Sequence, residues 1–296
     1  MRVDIYMLPN RPWPVLLERA RRAEEMGFGC VWIPDHFVNG LRPEDEWFEA
    51  WTTLGALAAV TERIRLGTLV SSITLRNPSL LARAATTLDH ISLGRLELGI
   101  GAAGSTTDHA MTGIPARTGA ERSERLEETV AIVRDLLTDG RAEAAGPQYP
   151  IEGATLQPRP AQRPRPPITV GALGRRSMRL AARLADAWNT QPMPAGGRFG
   201  EVLTGDEELA LLRERNAFVD RACEELGRDP GTLRRSYLLL GTYRSGPGGA
   251  DTFTKRAEAL SEAGAQELIL YWPDVEEVEP DLERVATESL PQLQRR

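Results

Sequence analysis

The sequence predicts an α/β fold, a (β/α)8 TIM barrel with an insertion after the fourth helix. Eight short apolar runs alternate with eight amphipathic segments along the 296 residues, and each pair is typical of one strand–helix unit. The segments Glu62–Val70 and Gly94–Gly104 repeat one pattern, in which an arginine-containing approach leads into an apolar run followed by small residues. An open doubly wound sheet is the alternative, although eight units would make it unusually wide. We treat residues 1–296 as a single domain.

Each predicted strand is a short apolar run, and each predicted helix has apolar residues at helical spacing, as at Leu126, Val130 and Val133. The predicted strands are Val3–Met7, Cys30–Pro34, Arg65–Val70, Leu96–Ile100, Ile168–Gly171, Ala187–Thr190, Tyr237–Gly241 and Glu267–Tyr271. The predicted helices are Pro14–Met26, Phe48–Thr61, Pro78–Ile91, Gly119–Thr138, Arg175–Ala185, Asp206–Leu226, Ala250–Ala263 and Val275–Leu290. Gly27 and Gly264 follow two of these helices, as expected at helix ends.

Two stretches fit neither element type. Residues 140–167 contain seven prolines and are too long for an ordinary loop, so they predict an excursion with a small hairpin around Tyr149–Ile151. Residues 191–205 follow the sixth strand and contain Gly196 and Gly197. They are either a mobile lid or a passive surface loop.

Composition excludes several classes of protein. The net charge of −6 argues against general nucleic-acid binding. No apolar run approaches the ~20 residues that span a bilayer, and Met1–Pro9 is too short and too charged for a signal peptide. Cys30 and Cys223 have no metal-binding or redox spacing, which predicts a reduced, cytoplasmic protein. All but one of the 36 lysine and arginine side chains are arginine; GC-rich codon usage or anion binding could explain this.

The residues at the carboxyl ends of the strands are the candidates for chemistry, because barrels of this kind place their ligands there. Asp35 and His36 end the second strand and offer a carboxylate and a group that titrates near neutrality. His109 follows the fourth strand and is a second candidate. His90 is expected to cap or pack at a helix end.

Two glycine-rich segments also follow strands. Gly171–Ser177 follows the fifth strand and opens a helix, so free backbone N–H groups beside Arg175 and Arg176 predict an anion site. The alternative is that Gly174 only permits a tight turn. Gly99-x-Gly101-x-x-Gly104 matches the dinucleotide-binding signature, but no long amphipathic helix opens directly after it.

Other chemistries lack their residues. The sequence contains no His-x-His and no cysteine–histidine cluster with ligand spacing, so no metal is expected and a metal-dependent hydrolase is a weak rival. A Gly-x-Ser-x-Gly nucleophile motif is also missing.

Several segments together resemble the bacterial luciferase-like family of flavin- or deazaflavin-dependent oxidoreductases. They run in order over about residues 1–190, with a weaker match beyond. The segments are Gly27–His36, Thr61–Val70, Arg76–Pro78, Leu88–Gly101, Arg122–Glu128, Leu156–Pro160 and Ala185–Asn189.

The resemblance implies a (β/α)8 barrel with an insertion, a flavin or deazaflavin ring at the strand ends, and a non-prolyl cis peptide bond at Leu69–Val70. It implies that His36 faces the substrate as proton donor or base. The residues implied for the ring are Asp35 and the backbone of Leu69, Val70, Ala102 and Ala103. Those implied for the cofactor phosphate are Gly171, Gly174, Arg175 and Arg176.

The chain departs from the sugar-phosphate dehydrogenases of this family at two places. Those enzymes carry an acidic residue after the fourth strand and a tryptophan soon after Asp-His. Here Gly104 and Val38–Gly40 stand there, so a sugar phosphate is not the expected substrate. Many relatives also have glycine where Ala103 stands and a bulky residue where Gly104 stands, a swap that would widen the pocket over the ring.

The resemblance therefore implies an oxidoreductase that transfers hydride between reduced coenzyme F420 and a small organic substrate, acting as a homodimer without nucleic acid or membrane partners. An FMNH2-dependent monooxygenase that uses O2 is the first alternative. A non-catalytic flavin-binding barrel is the second.

Overall fold

The computed structural model describes residues 1–40, 42–196 and 201–295, without the side chains of Tyr243, Arg244 and Glu276. Eight parallel strands close into a barrel in which each strand pairs with its neighbours in the chain and the last returns to the first. The barrel strands are β1 (Arg2–Tyr6), β2 (Cys30–Ile33), β3 (Arg65–Ser72), β4 (Leu96–Gly101), β7 (Ile168–Gly171), β8 (Ala187–Thr190), β9 (Arg234–Leu239) and β10 (Glu267–Tyr271). The predicted (β/α)8 barrel is confirmed.

Helices follow the strands and cover the barrel. They are α1 (Trp13–Glu25), α2 (Ala50–Val60), α3 (Pro78–Ile91), α4 (Thr106–Thr112), α5 (Gly119–Asp139), α6 (Arg175–Leu184), α7 (Gly205–Glu225), α8 (Thr242–Ser245), α9 (Ala250–Glu262), α10 (Glu279–Arg284) and α11 (Leu290–Leu293). An antiparallel hairpin of β5 (Arg141–Ala145) and β6 (Pro150–Thr155) lies between α5 and β7. It occupies the stretch where the sequence predicts an excursion.

The structure corrects some predicted boundaries. The seventh barrel strand is Arg234–Leu239 rather than Tyr237–Gly241. The prediction began too late because the two arginines at the start of the strand are typical of a polar loop. The last predicted helix, Val275–Leu290, is broken into a 3-10 turn, α10, a π-helical turn at Val285–Ser289 and α11. The short helix α4 follows β4 directly, where the sequence predicts no helix.

Two layers of apolar side chains alternate along each strand, as the two-residue repeat of a strand requires. Ile5, Val31 and Ile33 point outward and pack beneath the helices. Tyr6 and Trp32 point inward and fill the upper barrel interior with residues of the neighbouring strands. These inward residues form the floor of the carboxyl-terminal end.

Charged side chains fill the amino-terminal end of the barrel. Glu97 on β4 is 1% exposed and accepts hydrogen bonds from Arg2, from Arg65 at 2.8 Å and from Arg234 at 2.5 Å. Glu267 lies 2.9 Å from Arg234, and Asp4 forms a bidentate pair with Arg2. We call these six residues the ionic plug. Three acidic side chains and three guanidinium groups lie against one another in it.

Arg95, the arginine of the segment Gly94–Gly104, holds helix ends together. Its guanidinium donates to the carbonyls of Ala58, Thr61, Ile64 and Ser92 and to the Thr61 hydroxyl, at 2.7 to 2.9 Å. These oxygens lie at and just beyond the carboxyl-terminal ends of α2 and α3. The arginine therefore satisfies helix-end acceptors and joins the two helices beneath the barrel.

Candidate functional site

A cavity of about 760 Å³ opens at the carboxyl-terminal end of the barrel. Its walls come from the loops after β1, β2, β4, β8, β9 and β10. They are mostly apolar, with a small number of polar groups, as expected of a site for an organic ligand. The lining residues are Tyr6, Leu8, Pro34, His36, Asn39, Gly40, Arg42, Trp47, Gly104, Ser105, Thr106, Thr107, Val202, Leu240, Gly241 and Tyr271.

His36 stands on the wall of this cavity with 44% of its side chain exposed. Its Nδ1 lies 2.8 Å from Oδ2 of Asp108. Trp47 lines the same cavity and donates its indole N–H to the carbonyl of His36 at 2.9 Å. The ring is therefore held on one edge and open on the other, which suits a group that exchanges protons with a ligand.

Asp108 contacts His36 and is not among the residues that the sequence analysis predicted for the site. Its side chain is 3% exposed, and its second oxygen, Oδ1, accepts the backbone N–H of Phe37 at 3.1 Å. Ser105 caps α4 by accepting the N–H of Asp108 at 3.1 Å. A serine three residues before an acid, directly after a strand, is a helix-start signal that could have placed Asp108 at the carboxyl end of the barrel.

Asp35 is buried and is not among the residues that line the cavity. It forms a bidentate pair with Arg76 at 2.6 and 2.9 Å and accepts the N–H of Ser72 at 3.1 Å. The pair ties the end of β2 to the end of β3. Its predicted contact with a cofactor ring stays a prediction.

The end of β3 carries the expected irregularity. The peptide bond Leu69–Val70 is cis, as the sequence analysis places it, and the pairing with β4 shifts register between Thr68 and Ser71. Leu69 is buried in the barrel interior, while Val70 is half-buried and packs beside it.

The glycines near this bulge serve two purposes. A Cβ at Gly101 would lie 2.1 Å from the side chain of Val70, a Cβ at Gly171 would lie 3.0 Å from it, and a Cβ at Gly99 would lie 2.0 Å from the carbonyl of Thr68. These three glycines make room for the protein itself. Gly104 differs, because a Cβ there would meet nothing within 4 Å.

Two alanines join these glycines. Ala102 and Ala103 are half-buried and pack against the outer core. Ala103 has a φ of +48°, a backbone region that glycine adopts more readily than alanine. The loop after β4 therefore follows a left-handed path on its way to Gly104 and α4.

The predicted anion loop lies at the start of α6 and is not part of the cavity lining. Gly174 is the N-cap residue and has no side-chain cap bond, so the first N–H groups of this helix have no side-chain acceptor at the cap. Arg175 is exposed and stacks over Phe218 at 5.6 Å, and the exposed Arg176 lies 3.6 Å from Glu124. The predicted cofactor residues thus lie after β2, on β3, after β4, on β7 and at the start of α6. All of them are outside the cavity lining, which contains His36.

Two aromatic residues form the cavity floor. The rings of Tyr6 and Tyr271 meet edge to face with centroids 4.8 Å apart. Burial raises the pKa of the Tyr6 phenol, with a further contribution from Tyr271. Tyr6 is therefore a neutral hydroxyl at physiological pH.

The other two histidines have backbone partners. His90 contacts the carbonyl of Arg159 at 2.8 Å, at the end of α3, and His109 contacts the carbonyl of Ile114 at 2.9 Å. Neither lines the cavity. Within residues 1–40, 42–196 and 201–295, no group of three histidine, cysteine or acidic residues could hold a metal ion.

The predicted lid, residues 191–205, falls partly outside the described residues, because 197–200 are not among them. Its first part is fixed by Arg215 of α7, which donates to the carbonyls of Gln191 at 2.8 Å and Met193 at 2.5 Å. Val202, near its end, lines the cavity. Whether the segment closes over a ligand stays a prediction.

A sequence model of the family described as luciferase-like monooxygenase matches residues 2–238. The chain belongs to this family. It is 31% identical over 259 residues to an F420-dependent glucose-6-phosphate dehydrogenase of Kineococcus radiotolerans, covering 87% of this chain and 72% of the relative. It is 35% identical over 176 residues to one of Microbacterium testaceum. That match covers 59% of this luciferase-like chain but only 52% of the relative, and a match to one of Amycolatopsis mediterranei covers 62% of that relative.

Solved structures share the luciferase-like barrel along its whole length. An F420-dependent secondary alcohol dehydrogenase in complex with an F420–acetone adduct superimposes with a TM-score of 0.83 at 19% identity, covering 99% of this chain and 98% of the other. A monooxygenase from Streptomyces bottropensis gives a TM-score of 0.78 at 22% identity, covering 99% of both chains. None of the helices in the described part of the chain combines the length and apolar character that crossing a bilayer requires.

Proposed function

We propose that this protein is an oxidoreductase that transfers hydride between coenzyme F420 and a small organic substrate in the carboxyl-terminal cavity. The observation that carries the proposal is His36, which stands on the wall of a cavity of about 760 Å³ with one ring edge bound and the other open. The names of the relatives, F420-dependent glucose-6-phosphate dehydrogenases, support the choice of cofactor.

The residues present fit a deazaflavin with an anionic tail. The α6 start lacks a side-chain cap, and Gly174 leaves its surroundings open, so backbone N–H groups and Arg175 and Arg176 would hold a phosphate. The backbone of Leu69, Val70, Ala102 and Ala103 would hold the ring. Asp35 would support that end of β3 through Arg76.

The cofactor, when bound, supplies or accepts the hydride. His36 contributes the proton, which its open ring edge gives to a carbonyl oxygen during reduction or takes from a hydroxyl during oxidation. Trp47 and Asp108 hold the His36 backbone and ring in place. The tyrosine floor and the apolar walls exclude water from the hydride path.

We propose a neutral organic substrate rather than a sugar phosphate. Arg42 is the arginine among the described lining residues. Its guanidinium already pairs with Asp45 at 2.9 Å and with Asp274 at 3.0 Å. Gly104 leaves open space where an acidic or bulky side chain could stand. Turnover with glucose 6-phosphate above that with neutral secondary alcohols or cyclic ketones would overturn this choice.

Cofactor binding tests the proposal directly. The purified protein should bind F420 in an absorbance and fluorescence titration, and mass spectrometry of any released cofactor should identify it. Tight binding of FMN with oxygen consumption would instead support the monooxygenase, the activity that the family's description names. Binding of either cofactor without turnover of any substrate would support the non-catalytic barrel.

Matched variants on α6 test the anion site. Arg175→Ala with Arg176→Ala should weaken F420 binding about tenfold, and the loss should shrink at high salt because screening weakens charge interactions. Arg179→Ala with Arg183→Ala removes the same charge from the same helix, where these arginines pair with Glu225 and Glu127. Equal effects from both variant pairs would reject a local phosphate site.

We further propose a single domain, a cytoplasmic location and a homodimer. The single domain is supported by the pairing of β1 with β10 and by the bond from the Met1 amino group to the Leu293 carbonyl at 2.6 Å. The location is supported by Cys30 and Cys223, which are buried free thiols. Light scattering coupled to size-exclusion chromatography would show the homodimer, and a monomeric mass at micromolar concentration would contradict it.

A further inference from the structure

We infer that Asp108 is a positioning residue that fixes the proton of the His36 ring on Nδ1 and so leaves Nε2 as the atom that exchanges a proton with the substrate. This inference deepens the proposed function and rests on it for the role of His36 in turnover. Its effect on the ring can be measured without cofactor or substrate.

The two oxygens of Asp108 have separate partners. Oδ2 lies 2.8 Å from His36 Nδ1, and Oδ1 accepts the Phe37 N–H at 3.1 Å. An ionised carboxylate offers only acceptors, so the Nδ1 that faces it must carry the proton. With 3% of the side chain exposed, water cannot readily replace the carboxylate. Nε2, at the far edge of the ring, has no protein partner among residues 1–40, 42–196 and 201–295.

The position of Asp108 is itself fixed. Ser105 accepts its N–H at 3.1 Å, and Thr112 donates its hydroxyl to its carbonyl at 2.7 Å. The first turn of α4 and the end of β2 thus meet at one carboxylate. A ring held in this way keeps a single orientation, which proton transfer to a bound ligand requires.

The chemistry follows from the open lone pair on Nε2. During oxidation of an alcohol, the hydroxyl proton moves to Nε2, while the C–H bond breaks and its electron pair leaves with the hydrogen as hydride to the oxidised deazaflavin. A carbonyl forms on the substrate. The ring becomes an imidazolium whose charge Asp108 opposes. In the reverse direction the same Nε2 returns the proton to the carbonyl oxygen.

Other charged groups near the ring are already paired. Arg42 of the same loop pairs with Asp45 and Asp274, and Asp35 pairs with Arg76. From β1 and β10 the floor presents Tyr6, whose hydroxyl is neutral, and Tyr271. Asp108 is therefore the charged group in hydrogen-bond contact with the His36 ring within the described part of the chain.

The variant Asp108→Asn should change the tautomer of the His36 ring. The Phe37 N–H selects the amide oxygen of the new side chain, so the amide NH2 faces His36 Nδ1. A donor there requires Nδ1 to be an acceptor, and the proton moves to Nε2. The shape of the side chain is kept, while the atom that should accept the substrate proton loses its lone pair.

Nitrogen-15 NMR of the imidazole rings tests the inference on the full chain, because the protein has only three histidines. At a pH where His36 is neutral, the wild type should show Nδ1–H and Asp108→Asn should show Nε2–H, with His90 and His109 as unchanged references. Asp220→Asn, which removes an exposed partner of Arg235, is the control and should leave all three rings unchanged. Nε2–H in the wild type would overturn the inference even if the variant failed to fold.

Kinetics provide the second measurement. Asp108→Asn should lower kcat about 100-fold, with KM and the F420 dissociation constant changing less than about threefold. A fall in folding and cofactor binding without a change in the ring tautomer would mean a purely structural role and reject the inference. Correct tautomers without any hydride transfer would instead reject the proposed function and leave the ring assignment standing.

Discussion

At the amino-terminal end of the barrel, Glu97 of the ionic plug is 1% exposed and accepts hydrogen bonds from three arginines. At the carboxyl-terminal end, His36 is 44% exposed and has one side-chain partner in the described part of the chain, Asp108. The side chains of the plug bind one another's charges. The cavity holds one edge of its titratable ring and leaves the other free.

The difference separates stability from chemistry. A buried group with all of its partners contributes rigidity, and removing one partner leaves an uncompensated charge. A half-exposed group with one partner contributes little to folding but can exchange protons. We therefore expect variants of the plug to change the free energy of unfolding and variants of the cavity to change turnover.

The largest effect is expected from His36→Ala. Loss of the proton donor should lower kcat about 10²- to 10⁴-fold, while the F420 dissociation constant and the melting temperature stay near those of the wild type. Stopped-flow turnover and a cofactor titration on the same preparation would measure this. Equal losses in turnover and in cofactor affinity would show that the ring holds the cofactor, and the comparison between the two ends would fail.

The next effect is expected from Glu97→Gln. Removing this charge takes the carboxylate partner of Arg65 and one of the acidic partners of Arg2 and of Arg234. The loss should cost about 3 kcal/mol of unfolding free energy but leave turnover per folded molecule unchanged. Urea denaturation would measure it. Glu225→Gln removes a carboxylate from an exposed pair with Arg179 and should cost at most about 0.5 kcal/mol. Similar losses in both variants would contradict a special role of the plug.

The pH dependence of this loss sharpens the comparison. Burial alone would raise the pKa of Glu97, but the charges of Arg2, Arg234 and Arg65 outweigh it and hold the pKa below the ordinary 4.5. The folded state thus favours the ionised form, and this stabilisation is present above pH 4.5 and lost as the pH falls through the folded pKa. The stability gap between wild type and Glu97→Gln should therefore be full at pH 7 and shrink in acid.

A smaller effect distinguishes two glycines at the carboxyl-terminal end. Gly101→Ala would force a Cβ to within 2.1 Å of Val70 and should cost about 2 kcal/mol of stability through overpacking. Gly104→Leu enters open space and should leave stability within about 0.5 kcal/mol, while it narrows the cavity and raises KM more for larger substrates than for small ones. Thermal unfolding and a substrate size series would separate the two. A stability loss at Gly104 would assign it to packing instead.

The barrel could be predicted from the sequence because its units repeat and because apolar periodicity reports burial. The start of β9 could not, since the charge of Arg234 is balanced inside the barrel by Glu97 and Glu267, which are distant in sequence. The breaks in the last helix could not be predicted for a similar reason. Its apolar residues have helical spacing, and contacts with distant residues decide where the helix is interrupted.

The candidate site was predictable in part. His36 could be found from its place at a strand end, but its partner Asp108 depends on how the loop after β4 returns to β2. In the sequence, the glycines on β4 and after it look alike. Only the positions of Val70 and Thr68 separate Gly101 and Gly99, which pack against protein, from Gly104, which faces space.

The side chain of Val70 has a consequence for how this barrel can change over generations. A Cβ at Gly101 would lie 2.1 Å from this side chain, and a Cβ at Gly171 would lie 3.0 Å from it. The residue that is tolerated at position 101 or 171 therefore depends on the size of the residue at position 70. A side chain gained at Gly101 is harmful by itself and tolerated only after Val70 has become smaller. The order in which mutations can be accepted at this end of the barrel is thereby constrained, whereas Gly104 is free to vary alone.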